Sequence, residues 1–526
     1  MTSNTNRKVG IIINWTNIFA QVIISLLFIP FFLKTVGDRQ YGLYSFSSSF
    51  IAWIDTLMVA VASAYHKYLT REKVKNGEYG EARACGTFLK AFIFISLLIL
   101  VFGLIFDLLL FLELIPLYEY NVNEKNQICL IILMSVLSTS LSGLMLTRSS
   151  YNFYKQKFII LYSVAFAQTV LQSVLSIVAL KIGYDVVVVA LIHFSVALIS
   201  TFSLSLVSKF FLKQNISFKP NSSEDRIYRK KLMIEIIVFS SFVLLNTIVD
   251  TINKTLDKTI LGFYNSNSVS IYQLAYSIPA YMISFTSVIS ILFNQQVNAV
   301  FFSENGISKM NALFLKVSKY QTIFTLLLVG GFITCGKEFV NLWLGDGYYN
   351  VYVFASIFMI IYSLTCSNRL AAIARRAQNC HIKASIIFLG VAVFNVVISL
   401  LFISLFSKEK AIWACVFGTI LTEVIGHWII MQIYDAKVTH LDTRRFFINF
   451  VKLAIIAGTI GLVVGKFYEL LNLTSTFLSF VLKGTTYLLL YCVVVLFVEK
   501  DISKIIHSSI FKLKNIIKTR KSNNEN

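Results

Sequence analysis

Charge is scarce in this chain. Asp, Glu, Lys and Arg make up 14% of its 526 residues, where water-soluble domains carry about 25%, and the deficit excludes a water-soluble fold. Cysteine occurs seven times (Cys85, Cys129, Cys335, Cys366, Cys380, Cys415 and Cys492) but never as Cys-x-x-Cys, and most of the seven fall inside apolar runs. An odd, dispersed set of that kind excludes a disulfide or zinc framework and reads as small packing residues. Neither a Gly-x-x-x-x-Gly-Lys-[Ser/Thr] phosphate loop nor a His-Glu-x-x-His zinc helix is present. ATP therefore cannot power work done by this chain, and no metal or cofactor is expected.

What fills the sequence is apolar. Hydrophobic residues reach 56% and the mean hydropathy is +0.73. A helix needs ~20 mostly apolar residues to cross a bilayer. Windows of that kind fall at 10–33, 41–64, 89–112, 126–147, 158–180, 186–208, 232–262, 268–293, 317–342, 351–368, 384–407, 411–434, 453–470 and 477–498. The expected fold is all-α, a polytopic membrane protein with about fourteen transmembrane helices in two pseudo-symmetric bundles. Its organisation is read as a six-helix bundle over 1–208, a basic linker over 209–231 and a second six-helix bundle over 232–434. Two further helices over 435–498 and a basic tail over 499–526 complete it. Arg7 and Lys8 precede the first apolar run, which is too long for a signal peptide and lacks a cleavage site, so it is expected to remain as the first span.

The formal net charge of +21 invites a nucleic-acid reading, and its placement argues against one. With the N-terminus inside, the inner segments hold 35 Lys and Arg residues and the outer loops hold 8. That bias follows the positive-inside rule and puts both termini on the cytoplasmic face. The basic charge then serves topology and contact with anionic lipids, and no nucleic-acid partner is expected. A faint internal echo accompanies it: Arg148, Lys157 and Lys181 bracket two spans much as Arg375, Lys383 and Lys408 do. Such parallel halves are common in transporters that hold substrate between two bundles.

Ionisable residues within a span cost at least a few kcal/mol and are functional suspects. The seventh window is the richest. At 100° per residue from Asp250, Asn246 lies at about −40°, Asn253 at about −60°, Asp257 at about −20°, Lys254 at about 40° and Lys258 at about 80°. Leu245, Ile248, Val249, Ile252 and Leu256 hold the other face. A polar stripe across a membrane faces water or another polar helix. One reading is a self-paired ladder of Asp250, Lys254 and Asp257 at spacings of four and three. The other is a cavity wall in which Lys254 and Lys258 attract an anionic cargo and Asp257 or Asp250 carries a coupling ion. Asp55, in the second window without an intrahelical cation, is a further coupling-ion candidate. Arg148 and Arg375 end inward-running spans; topology accounts for both, and each is also placed to meet a phosphate at the inner mouth. Glu423 with His427, and His193 alone, read as helix–helix hydrogen-bonding groups.

Three stretches carry a family resemblance. Leu33-Lys-Thr-Val-Gly37-Asp-Arg-Gln-Tyr41-Gly42-Leu43-Tyr44 resembles the outer turn of the polysaccharide biosynthesis family, the Wzx-type O-antigen flippases of the MOP (MATE-like) superfamily. Asp257-Lys-Thr-Ile-Leu-Gly262 with Val269-Ser-Ile-Tyr272-Gln-Leu-Ala275 is similar to a second family stretch. The run from Lys383 through Phe394-Asn395 to 411–423 is similar to a third. The resemblance implies a flippase for an undecaprenyl-diphosphate-linked oligosaccharide, an O-antigen or capsule repeat unit, in a bacterial inner membrane. H+ or Na+ would be its coupling ion, and a polysaccharide polymerase and chain-length regulator its possible partners. Two other readings stand beside it: a MATE-like exporter of small cations, and a membrane polysaccharide polymerase. The short outer loops argue against the polymerase, and the two lysines of the seventh window against a purely cationic cargo.

Overall fold

Helix caps set where the chain turns, as the sequence pattern requires. The structure, a computed structural model, describes residues 3–117, 119–301, 304–378, 380–405, 410–471 and 475–499. Within them the elements are helices α1 (Ser3–Phe111), α2 (Val122–Tyr154), α3 (Phe158–Ile182), α4 (Val186–Leu206), α5 (Ser223–Gly262), α6 (Ser266–Phe301) and α7 (Gly306–Leu344). They continue as α8 (Tyr349–Ser367), α9 (Arg369–Ala377), α10 (His381–Leu405), α11 (Ala411–Thr422), α12 (Met431–Tyr434), α13 (Thr443–Leu470) and α14 (Thr476–Val498). Asn121 and Glu124 form a reciprocal capping box at α2, Asp185 caps α4, Ser222 caps α5 and Gly183 closes α3 in a left-handed conformation. Each satisfies end groups that a bilayer could not. No strand occurs among the described residues.

Eleven helical runs among the described residues are long and apolar enough to cross a membrane. The first, Thr16–Phe111, is interrupted at Gly37 and at Asn76-Gly77, so it comprises three segments. The chain is a multi-pass membrane protein of nearly all-helical fold. Gly37 has φ 80°, a left-handed value open to glycine at little cost, and it makes the turn between the first two segments.

The chain divides into two compact units, one of Met1–Ser284 with Asn379–Met431 and one of Phe285–Gln378 with Gln432–Asn526. In the first, a core of Tyr65, Phe88, Phe92, Tyr151, Leu232 and Ile236 joins α1, α2 and α5 at the basic end. Cations there are locked to carboxylates: Arg83 reaches Glu72 at 2.9 Å, Lys155 and Lys73 reach Glu81 at 2.8 and 2.7 Å, and Arg229 reaches Asp225 at 2.8 Å. At the opposite end Arg39 clasps Glu124 with two bonds, one of 2.8 Å.

In the second unit α7 is the central helix. Tyr487 and Tyr491 of α14 donate to the carbonyls of Leu326 and Ile323 at 3.2 and 2.9 Å, and Gly461 of α13 lies against Thr334. Lys483 of α14 pairs with Glu338 of α7 at 2.5 Å, both nearly buried. A buried pair of this kind fixes register more than it adds stability.

Candidate functional site

The polar helix α5 is held on two sides. Its apolar face buries Val249 and Ile252 against Ala392 of α10, with Trp53, Leu256 and Phe388 alongside. Beside that face runs a threonine ladder absent from the sequence reading. The Thr251 hydroxyl is 2.7 Å from that of Thr56, the Thr259 hydroxyl is 3.1 Å from Ser49, and Trp53 Nε1 donates to Thr259 at 3.3 Å. Threonines at spacings of four form one row along a helix, and this row binds α5 to the second segment of α1.

The remaining arc of α5 carries the ionisable stripe. Lys254 is exposed, and among the described residues no carboxylate or hydrogen-bond partner engages it. The Asp250 and Asn253 side chains lie outside the described residues. Asn246 accepts a bond from Ser385 of α10. Lys258 is half-buried and likewise has no partner among the described residues.

Asp257 lies in a different setting. It is 5% exposed, and its Oδ2 accepts from the Tyr272 hydroxyl of α6 and the Thr419 hydroxyl of α11, each at 2.6 Å. Such short bonds are those of hydroxyls donating to a charged acceptor. Oδ1 is buried without a partner, and no basic side chain reaches the carboxylate among the described residues. Next to Thr419, Gly418 brings the backbone against the Asn395 and Ser399 side chains, both buried, and Ser399 donates to Asn395 Oδ1 at 3.3 Å. A carboxylate, two hydroxyls on it and an adjoining hydroxyl–amide pair thus meet where α5, α6, α10 and α11 converge. A buried charge without a cationic partner is expensive. A proton or a small monovalent cation on Oδ1 would relieve that cost. Among the described residues no cluster of His, Cys, Asp and Glu could hold a transition metal.

The other expected residues lie apart from this cluster. Asp55 is exposed and accepts from Thr139 at 3.4 Å. Arg148 is half-buried near the basic end of α2, where its backbone carbonyl accepts from Ser208 at 2.6 Å. Arg375, in the second unit, binds Asp435 at 2.6 Å, with both side chains largely buried. Glu423 and His427 sit in a π-helical stretch (Glu423–Ile430), 3.8 Å apart, with the His427 ring against Phe388. His193 meets the Tyr44 hydroxyl at 3.0 Å.

The first two quoted sequence stretches are joined through residues flanking them, Phe46 and Ser266. A Cβ on Gly42 would fall 1.8 Å from the Ser266 carbonyl oxygen, so only glycine admits α6 at that spot, and Ser266 donates to the Arg39 carbonyl. Gly262 lies against the Phe46 ring, and its carbonyl accepts from Tyr120 at 2.8 Å. The Thr419–Asp257 hydrogen bond joins the second stretch to the third directly.

Residues 8–301 match the family described as Polysaccharide biosynthesis protein, more than half of the chain. The chain belongs to that family. None of the curated proteins matches it. Among solved structures it is similar to "Lipid II flippase MurJ, inward closed conformation", with a TM-score of 0.67 at 14% identity over 94% of this chain and 99% of that one. It is also similar to a MATE-family multidrug resistance transporter of the MOP superfamily in an inward-facing conformation, with a TM-score of 0.58 at 14% identity over 81% and 99% of the chains. The MATE multidrug transporter DinF-BH gives 0.57 at 14% identity over 82% and 95%. At these identities the likeness is one of fold, that of the MOP-type transporters. Tyr272, Asn395 and Thr419 fall within the family stretches quoted above. That was the available signal for residues the search for charged groups passed over.

Proposed function

We propose that this member of the polysaccharide biosynthesis family translocates an undecaprenyl-diphosphate-linked oligosaccharide, an O-antigen or capsule repeat unit, across a bacterial inner membrane. Transport proceeds by alternating access of two helix bundles, driven by H+ or Na+, with both termini cytoplasmic. A polysaccharide polymerase and a chain-length regulator are the protein partners this role implies. The observation that carries the reading is the division of labour along α5. An exposed Lys254, without a partner among the described residues, offers a cation to an anionic headgroup, and one turn on, a buried Asp257 lacks among those residues the counter-charge that a transported ion would supply. Lys258 extends the cationic arc, with Arg148 and Arg375 as further phosphate contacts; Asp250 and Asp55 are the alternative ion carriers.

The MATE-like fold supports a second reading, export of a small cation. The exposed ammonium of Lys254 repels such a cargo, so the anionic reading is preferred. Surface glycan display in cells lacking the chromosomal copy is the test. Lys254→Ala and Lys258→Ala, inserted at normal levels, should fail to display glycan, whereas Lys254→Arg and Lys258→Arg should succeed. Normal display by the Ala variants would remove the lysines from substrate contact.

A further inference from the structure

A second recess lies in the first unit, away from the Asp257 cluster. It opens between the second and third segments of α1 and the first half of α5, with a cavity of about 240 Å³ beside it and its own volume of ≈ 480 Å³. Small side chains make the trough: Ala60 and Ala91 on α1 and Ser240 and Ser241 on α5. Leu57, Ile95, Ile237 and Leu244 line its sides. From Met233 to Leu244 the trough follows about eleven residues of α5, a rise of ~16 Å. That is close to half of a ~30 Å hydrocarbon core, so the trough is about one leaflet deep.

Two polar groups distinguish it from a bare gap between helices. Lys90, half-buried, lines it with its ammonium 4.9 Å from the centre of the Phe218 ring, and no carboxylate engages it among the described residues. The more deeply buried cations nearby, Arg83 and Arg229, are both ion-paired. Ser240 is 4% exposed, and its hydroxyl is buried in the trough wall without a hydrogen-bond partner. A buried hydroxyl left unbonded is unfavourable in a protein and more so in a bilayer.

We propose that this trough is a binding site for an anionic glycerophospholipid of the leaflet adjoining the basic 65–90 turn. One acyl chain lies along Leu57, Ile95, Ile237 and Leu244, the phosphate is held by Lys90, and an ester carbonyl accepts from Ser240. A single fixed cation suits a phosphodiester of one negative charge. The Ser240 donor selects a lipid with an ester carbonyl, which a prenyl phosphate lacks, and a trough one leaflet deep does not call for a longer chain.

The full-length protein carrying a benzophenone amino acid in place of Ile237 tests this. It is reconstituted in vesicles of equal phosphatidylglycerol and phosphatidylcholine with identical chains, and the photoadducts are weighed by mass spectrometry. Val178 of α3, exposed to lipid on another face, serves as the control position. One lysine near a membrane surface favours an anionic lipid about fivefold, so phosphatidylglycerol adducts should exceed phosphatidylcholine adducts about fivefold at Ile237 and be equal at Val178. Lys90→Gln should bring the Ile237 ratio to about one, Lys90→Arg should keep it, and Ser240→Ala should lower the yield with both lipids. Equal labelling in the unsubstituted trough overturns the proposal. So does a ratio unchanged by Lys90→Gln, or displacement of phosphatidylglycerol from Ile237 by undecaprenyl phosphate at equal mole fraction.

Discussion

Replacing Asp257 by Asn tests the ion-coupling proposal with little disturbance of packing. Asn is nearly isosteric, and its amide oxygen can accept from both Tyr272 and Thr419, the two donors now 2.6 Å from Oδ2. What disappears is the negative charge. Because that charge has no basic partner among the described residues, its removal should leave folding intact, and thermal stability should be equal or higher. Coupling should respond differently. One proton moved per cargo through a gradient of one pH unit supplies about 1.4 kcal/mol, a factor of ten in accumulation. In proteoliposomes loaded with a lipid-linked oligosaccharide, an external glycosidase reports the fraction flipped. Wild type should change that fraction by up to ~10-fold for each imposed unit of H+ gradient, or for a tenfold Na+ gradient. Asp257→Asn should flip at a rate indifferent to both. Thr419→Val is the companion, since it retains the charge but removes one hydrogen bond to it, a loss of ~1.5–3 kcal/mol in stability. If Asp257→Asn keeps the gradient response, the coupling ion binds elsewhere, and Asp55 and Asp250 take its place.

On α5, single cysteines at Lys254 in a Cys-free background should react with a membrane-impermeant thiol reagent, and those at Val249, Ile252 and Leu256 should not; equal labelling removes the open polar arc. Reporter fusions after Ser222 and after the C-terminal residue should both report cytoplasm, and a periplasmic signal at either refutes the proposed orientation. In the second unit, Lys483→Met alone strands the Glu338 charge and should cost ~3–5 kcal/mol in unfolding, whereas Lys483→Met with Glu338→Leu should recover most of it. Additive losses in the double variant would show that the two side chains act independently.

The membrane fold was legible because spanning helices must satisfy their own backbone and advertise it as long apolar runs. The amphipathic division of α5 was legible for the same reason: Val249 and Ile252 pack on α10, as their angular position requires. Less accessible were contacts between residues far apart in sequence. The spacing of Asp250, Lys254 and Asp257 suggested a ladder within one helix, yet Asp257 bonds to Tyr272 and Thr419, the latter 162 positions away. Uncharged hydroxyls such as Thr419 and Ser399 carry no periodic signal of their own and came into view only through the helices that converge on them. Gly42 and Gly262 stood in recognisable stretches, but their reason, the close approach to Ser266 and Phe46, needed coordinates.

The proposed sign of the cargo rests on Lys254 and not on the fold, since the structures titled as a lipid II flippase and as a multidrug resistance transporter are both similar to this chain. A unit charge ~8 Å from an ammonium interacts by ~2 kcal/mol at an effective dielectric constant of ~20 and by ~0.5 kcal/mol in bulk water. Lys254 is exposed, so the interaction lies between those limits. It attracts a phosphate and repels a cation by the same amount, so the preference for anion over cation is the sum of the two, ~1 to ~4 kcal/mol. That is a factor of ~5 to ~1000 in binding. A carboxylate paired with Lys254 would erase that preference, and among the described residues none engages it. On the proposed reading Lys254 biases this site toward phosphate-bearing lipids, and Lys254→Glu should invert the preference while the helix packing at Val249 and Ile252 stays as it is.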